Sequence, residues 1–279
     1  MIRRRGVETE AFTVHTAAKQ IQAMEFMMGR VEGRVAIVTG AAQGLGATYA
    51  RALAAEGAKV VIADRDSGAA VVEEIRAAGG EAIDVPTDVR EEAATLEMVA
   101  KAVEAFGKLD IMVNNAAIFT AVERKGFDEI SVDEWDLMHA VNVRGTWLCC
   151  RAAVAEMRKH QYGKIINIST SRIFQGVPFF LHYDSTKGAV LAITRSLCKE
   201  VGDDGIRVNC IAPGSTMSEN VRKRTNWQGS GAKAQLANRM IKREQLPEDL
   251  VGAVLFLSSA ESDFVTGQTM LIDGGVSTH

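Results

Sequence analysis

The sequence predicts one α/β domain: a doubly wound, mostly parallel sheet of seven strands with helices on both faces. Three observations carry this. From Val31 onward, short apolar runs alternate with longer stretches of helical periodicity. Runs such as VAIVTG and KVVIAD are apolar at consecutive positions, which suits strands covered on both sides. No internal Ser/Gly/Pro-rich linker breaks the alternation, so right-handed crossovers can wind a single sheet.

The elements follow in order. VAIVTG at 35–40 is the first strand, and QGLGATYARALAAEG at 43–57 is a helix closed by Gly57. KVVIAD at 59–64 is the second strand, SGAAVVEEIRAAGG at 67–80 the helix behind it, and EAIDVPTDV at 81–89 the third strand with its loop. EEAATLEMVAKAVEAFG at 91–107 is the third helix and LDIMVNNAA at 109–117 the fourth strand. The stretch 132–160 is long enough for two successive helices or one bent one. GKIINIST at 163–170, GIRVNCIAPG at 205–214 and GQTMLIDGG at 267–275 supply strands five to seven. Helices at 181–202 and 246–259 separate them. The polar stretch 215–246 has helical patches without a strand, and about 217–245 is expected to cover a substrate.

Bulk properties narrow the function. A chain of 279 residues, 47% apolar, buries a sizeable core, and residues 31–279 read as one catalytic domain. Residues 1–30 read as an extension, loose or an oligomer contact; they begin basic but lack the apolar run of a signal peptide. A formal charge of -3 gives no reason to expect nucleic acid or an anionic membrane, and no run is long enough to span a bilayer. Four cysteines, Cys149 and Cys150 adjacent, show neither metal nor disulfide spacing. No metal is expected, and the simplest setting is a reducing cytoplasm.

The chemistry begins at TGAAQGLG, residues 39–46, between a strand and a helix. Gly40, Gly44 and Gly46 allow a tight turn and close approach of a pyrophosphate to the helix N-terminus, with Gln43 and Leu45 in the same turn. Asp64 ends the second strand, where a carboxylate accepts hydrogen bonds from both ribose hydroxyls and repels a 2′-phosphate. NAD is therefore expected rather than NADP, with Arg65 as a flank for the adenine or a solvated residue. Asp88, with Val89 beside it, either meets the adenine amine or ties down its own loop. The same choice holds for Asn114 and Asn115, where small Ala116 and Ala117 leave room beside a ribose.

Tyr183 and Lys187 lie one helical turn apart on the same side of a helix. An alcohol losing hydride needs a base, and an adjacent ammonium would lower the phenol from its ordinary value near 10. A hydroxyl donor to the carbonyl oxygen is expected from Ser169, Thr170 or Ser171, which spacing alone does not separate. Asn142, inside the helical stretch, either holds a water that relays protons from Lys187 or satisfies a buried backbone group. His182, adjacent to Tyr183, points elsewhere and has no assigned chemistry.

These motifs, in this order, resemble the short-chain dehydrogenase/reductase family of the roughly 250-residue Rossmann type. The resemblance runs over about residues 31–275: TGAAQGLG, Asp64, NNAA, Asn142, NIST, YDSTK, and APG at 212–214 followed by Ser218. It implies an Asn-Ser-Tyr-Lys group on Asn142, Thr170, Tyr183 and Lys187, with threonine in the serine's place and NNAA for NNAG. It implies that Pro213 and Gly214 shape the loop beneath the nicotinamide, that Thr216 binds its carboxamide through the backbone, and that Ser218 contacts the pyrophosphate. A homotetramer, or else a homodimer, is implied as well.

The expected activity is NAD-dependent oxidation of a secondary alcohol, or reduction of a ketone, by Tyr183. The pocket candidates Ile118, Phe119, Phe174, Phe179, Phe180 and Trp227 suggest an apolar or ring-containing substrate. Arg172 is either an anchor for a carboxylate or a surface charge. The competing readings are an NADPH-dependent carbonyl reductase, a polyol or sugar dehydrogenase, and a non-catalytic dinucleotide-binding protein.

Overall fold

A computed structural model describes residues 29–119, 122–223 and 236–278. In chain order the strands are β1 (Val35–Thr39), β2 (Lys59–Asp64), β3 (Ala82–Pro86), β4 (Ile111–Asn114), β5 (Gly163–Ile168), β6 (Ile206–Pro213) and β7 (Thr269–Ile272). The helices are α1 (Gly44–Ala55), α2 (Ala69–Ala77), α3 (Glu92–Phe106), α4 (Val132–His139), α5 (Thr146–Met157), α6 (Arg172–Gln175), α7 (Leu181–Glu200), α8 (Glu219–Arg222) and α9 (Glu248–Ser258). The sheet order is β3-β2-β1-β4-β5-β6-β7, and every pairing is parallel where "mostly parallel" was expected.

Alternation along each strand divides the core between two faces. Ala36 and Val38 of β1, with Val60 and Ile62 of β2, pack under α1, α2 and α9. Val35 and Ile37, with Val61 and Ala63, pack under α3, α5 and α7. All five β1 residues are buried, each Val or Ile contributing roughly 1.5–3 kcal/mol by leaving water. This explains runs without polar alternation. Among the described residues no helix is long and apolar enough to cross a membrane.

The chain winds outward through β1, β2 and β3, then returns to β4 beside β1. That reversal opens a crevice at the strands' C-terminal ends, where open α/β sheets bind ligands. β4 is shorter than the sequence suggests for a specific reason. The amides of Asn115 and Ala116 both donate to Thr39 Oγ1, at 3.1 and 3.0 Å, which draws the chain out of the sheet and across β1.

The stretch 132–160 forms one bent unit. A π-helical turn, Ala140–Gly145, joins α4 to α5 and carries Asn142. Such widened turns inside α-helices recur at functional sites. Near the expected start of the domain, Arg30 is already tied to the fold. Arg30 N donates to Glu56 Oε2 at 2.8 Å, and its guanidinium pairs with Glu261. The remainder of the expected N-terminal extension, residues 1–28, lies outside the described residues.

Candidate active site at the sheet's carboxyl edge

The crevice is a cavity of about 700 Å³ that runs from the glycine turn to Tyr183 and onto the loops after β5 and β6. Gly40 and Gly44 sit at φ of 64° and 59°, a left-handed backbone that side chains rarely adopt. A Cβ on Gly40 would lie 2.8 Å from Ala116 Cα. Gln43 is extended at the α1 N-cap and makes no side-chain bond there, so the first-turn N–H groups have no side-chain cap. Gly40, Gln43, Gly44 and Leu45 line the cavity. Gly46 does not; it is a packing residue, because a Cβ there would meet Gly40 O at 2.2 Å and Asn115 Nδ2 at 2.6 Å.

Asp64 and Arg65 line the adjoining wall. Asp64 Oδ2 accepts from Ala42 N at 2.9 Å and Oδ1 from Asp66 N at 3.1 Å, which leaves lone pairs on both oxygens. Asp88 and Val89 also line the cavity, but the Asp88 carboxylate is held by Arg90 through contacts of 2.6–3.0 Å. The Arg90 guanidinium holds that carboxyl below its usual range. Asp88 thus ties down its own loop while still facing the cavity. Asn115 Nδ2 clamps the turn through Thr39 O and Gly40 O at 2.9 and 3.0 Å, and Ala116 and Ala117 face the cavity. Asn114 turns inward, donating to Asn167 Oδ1 at 2.8 Å, while Asn167 donates to Thr194 Oγ1 at 2.9 Å.

Tyr183 and Lys187, both buried, stand on the first two turns of α7 and line the same cavity. Lys187 Nζ donates to Ile168 O at 2.8 Å and lies 5.8 Å from the Tyr183 ring centroid. Burial pushes the phenol above its ordinary value, reinforced by Asp184; Arg172 and a side-chain hydrogen bond to Thr170 act the other way. Burial also pushes the Lys187 ammonium down to about 8. At the phenol, desolvation outweighs the neighbouring positive charge of Arg172.

The three hydroxyl candidates all line the cavity but differ in their partners. Ser169 Oγ donates to the Lys187 backbone O at 2.9 Å, tying β5 to α7. Thr170 Oγ1 donates to Pro213 O at 3.5 Å and accepts from Arg172 N at 3.4 Å, and its hydroxyl also lowers the phenol's pKa. Ser171 Oγ accepts from Gln175 Nε2 at 3.1 Å. Asn142 is fully buried, accepting from Ile118 N at 2.9 Å and donating to Thr186 Oγ1 at 3.1 Å. It therefore satisfies the backbone that carries the cavity wall. His182, also buried, is not among the lining residues.

Beyond Tyr183 the wall is apolar: Ile118, Phe119 and Phe180, joined by Leu137, Val141, Val177 and Val221. The Phe119 and Tyr183 ring centroids are 5.0 Å apart. Two expected residues are elsewhere. Phe174 packs on Val190, Leu191 and Cys210, because α6 is a single turn that points it at α7. Phe179 sits at φ 71°, half exposed beside Arg124. Trp227, in the expected substrate cover, lies outside the described residues. Arg172 lines the cavity, but Asp184 takes its guanidinium at 3.0 and 3.1 Å, so it is not a free carboxylate anchor.

Pro213, Gly214, Thr216 and Ser218 line the floor after β6. A Cβ on Gly214 would lie 2.7 Å from Asp273 Cβ, so this loop needs glycine. Ser218 Oγ accepts from Val221 N at 3.4 Å, capping α8. Sequence reading missed Asn238, Arg239 and Val276, which complete this end of the cavity. The missed signal was a long stretch of cations without an acid, which reads equally well as a solvated helix.

A family profile described as enoyl-(acyl carrier protein) reductase matches residues 40–277. The chain is 39% identical over 251 residues to a 2,5-dichloro-2,5-cyclohexadiene-1,4-diol dehydrogenase of Sphingobium indicum, covering 89% of this chain and 98% of that one. A putative short-chain alcohol dehydrogenase from Sinorhizobium meliloti superposes with TM-score 0.84 at 30% identity, over 90% of this chain and all of the other. A putative 2-deoxy-D-gluconate 3-dehydrogenase from Agrobacterium tumefaciens, with bound NADP, superposes with TM-score 0.80 at 34% identity, over 88% and 97%.

Proposed function

The chain belongs to the short-chain dehydrogenase/reductase family of oxidoreductases, and from that premise we propose that it moves a hydride between NAD(H) and a secondary alcohol or ketone, with Tyr183 as acid/base. One observation carries the reading. The phenol, the Thr170 hydroxyl and the Lys187 ammonium meet in the cavity whose far end is the glycine cradle.

When bound, the nicotinamide supplies the carbon that takes or gives the hydride, together with a positive charge in its oxidised form. Gly40, Gln43, Gly44 and Leu45 would hold the pyrophosphate at the α1 N-terminus. Asp64 would take the adenosine ribose, flanked by Arg65, with Val89, Asn115, Ala116 and Ala117 as the adjoining wall. Pro213, Gly214 and Thr216 would seat the nicotinamide, and Ser218, although it caps α8, would reach the pyrophosphate side. The protonated phenol suits donation to a ketone oxygen, with Thr170 donating to the same oxygen as charge builds there. In the oxidative direction the phenol must first lose its proton, which the Lys187 ammonium favours. Asn142 acts through Ile118 as a positioning residue.

The hydroxyl assignment has a direct test. Thr170→Val is expected to lower kcat by about 10²-fold with little change in NADH affinity, whereas Ser169→Ala should act mainly on stability. Activity retained in the first and lost in the second, read by steady-state kinetics, would reverse the assignment.

For the cofactor, the free lone pairs of Asp64 support NAD, since a carboxylate there opposes a 2′-phosphate. Arg65 and Arg90 on the same wall are the features that favour the alternative, NADP. Asp64→Ala is expected to raise KM for NAD about tenfold or more and leave NADP unchanged or improved. Equal effects on both would remove the NAD assignment.

The function itself is tested with a panel of aromatic, alicyclic, hydroxy-acid and polyol alcohols and the matching ketones, with each cofactor, followed by NAD(P)H absorbance. The apolar wall supports ring-containing or apolar substrates; turnover of open-chain polyols alone would overturn that part. We also read the assembly as a cytoplasmic homotetramer, or else a homodimer. Exposed Leu137, Trp147 and Leu181 on neighbouring helices, and fully exposed Phe264 beyond α9, support association; light scattering measures it.

A further inference from the structure

Arg239 is a buried cation that no carboxylate hydrogen-bonds among the described residues. It is 5% exposed and lines the active-site cavity beside Ser215, Asn238 and Val276. Two neutral carbonyls hold its guanidinium: Arg243 O accepts from one terminal nitrogen at 2.8 Å and Ser215 O from the other at 3.0 Å. Its Nε has no hydrogen-bond partner among the described residues. The Asp249 carboxylate lies within electrostatic reach of Arg239 but is hydrogen-bonded by Arg243, so the buried guanidinium is only partly compensated, and a matching anion in the same cavity would offset the remaining cost.

Four acids around this end of the cavity are already engaged. Glu219 pairs with Lys223 and Glu244 with Arg222. Both oxygens of Asp249 are held by Arg243 at 2.6 Å. Asp273 spends its oxygens on the N–H groups of Gly275, Val276 and Ser277. Between residues 220 and 243 the sequence carries seven Lys or Arg and no Asp or Glu, so this stretch supplies no counter-charge of its own. Arg172, another arginine of the cavity lining, differs in having Asp184.

We propose that Arg239 anchors a carboxylate of the substrate, which makes the substrate class an apolar or ring-bearing hydroxy acid and its oxo acid. This rests on the hydride-transfer reading above and narrows it. Arginine suits the task because its planar fork matches a carboxylate. The cofactor's pyrophosphate already has a cradle at α1, which leaves Arg239 for the other ligand. The carboxylate is a spectator in the reaction. The carbinol carbon gives its hydride to oxidised NAD, the hydroxyl proton passes to the Tyr183 phenolate, and the carbon–oxygen double bond forms as NADH and one proton are released.

The test uses the full chain saturated with NADH and titrated with 3-phenylpropanoate, then with its methyl ester, by calorimetry. The acid is expected to bind at least tenfold more tightly than the ester. Arg239→Met should weaken the acid by roughly 10- to 100-fold, the range of a charge-assisted hydrogen bond, and leave the ester unchanged. Arg239→Lys should recover part of the loss. NADH affinity should move less than about twofold in both variants. The proposal is overturned if the acid binds no better than the ester, if Arg239→Met leaves the acid unaffected, or if NADH affinity falls with it, which would assign the arginine to the cofactor. Kinetics on 3-hydroxy-3-phenylpropanoate and its methyl ester separate this from the broader reading. Equal kcat/KM for the two would defeat the anion anchor while hydride transfer stands; failure of Tyr183→Phe to slow either would defeat the hydride-transfer reading.

Discussion

Replacing Tyr183 by phenylalanine is expected to cut kcat by about 10³- to 10⁴-fold, the upper range for loss of a positioned acid/base. NADH affinity should change by less than about twofold. The substitution removes one oxygen from a buried ring that packs on Phe119 and Phe180, so the apolar wall should persist. It leaves Thr170 as the remaining hydroxyl, polarising the substrate oxygen without supplying a proton. Paired measurements of turnover and of NADH fluorescence titration separate chemistry from binding. Turnover within tenfold of the parent would show that a different group handles the proton.

Lys187→Met should move activity and stability in opposite directions. Burial holds the folded-state ammonium at about 8, against an ordinary value of 10.5. Between those values the unfolded chain binds more protons than the folded one, so this group makes stability rise with pH. Below about pH 8 the buried charge costs on the order of 3 kcal/mol. Methionine removes that cost but leaves Ile168 O without its donor, a loss of about 1 kcal/mol. The variant should therefore be about 1–3 kcal/mol more stable in urea at pH 7, with the gap closing as pH approaches 10.5. Its kcat should fall by about 10²-fold. A variant less stable than its parent at pH 7 would mean that the lysine charge is held favourably in the fold.

Most of the architecture was legible because local signals agreed. Apolar runs of strand length, helices closed at glycine, and a glycine turn at the first crossover all point to one sheet. The positions of Tyr183 and Lys187 followed from a single helical turn. The misses share a cause, which is that linear spacing does not say which way a loop faces. Phe174 and Phe179 are aromatic residues near the site, yet one turn of helix and one left-handed residue direct them away from it. For Asp88 the sequence left an adenine contact and loop-tying both open, and the fold of the loop is what joins it to Arg90, two residues on. Arg239 went unnoticed because a cation in a basic run is usually solvated, and only the packing around Gly274 encloses it.

The amide pair formed by Asn114 and Asn167 also bears on how faithfully this protein is built. Apolar neighbours on β4 and β5 are nearly interchangeable, so greasy contacts alone would tolerate a shifted alignment. The Asn114–Asn167 bond, continued to Thr194 on α7, admits one alignment only. A slip by one residue would flip every side chain of the moving strand to the opposite side and present Ser169 where Thr170 now stands. This polar lock in the interior therefore acts as a proofreader for assembly, keeping Thr170 in its place on the cavity wall.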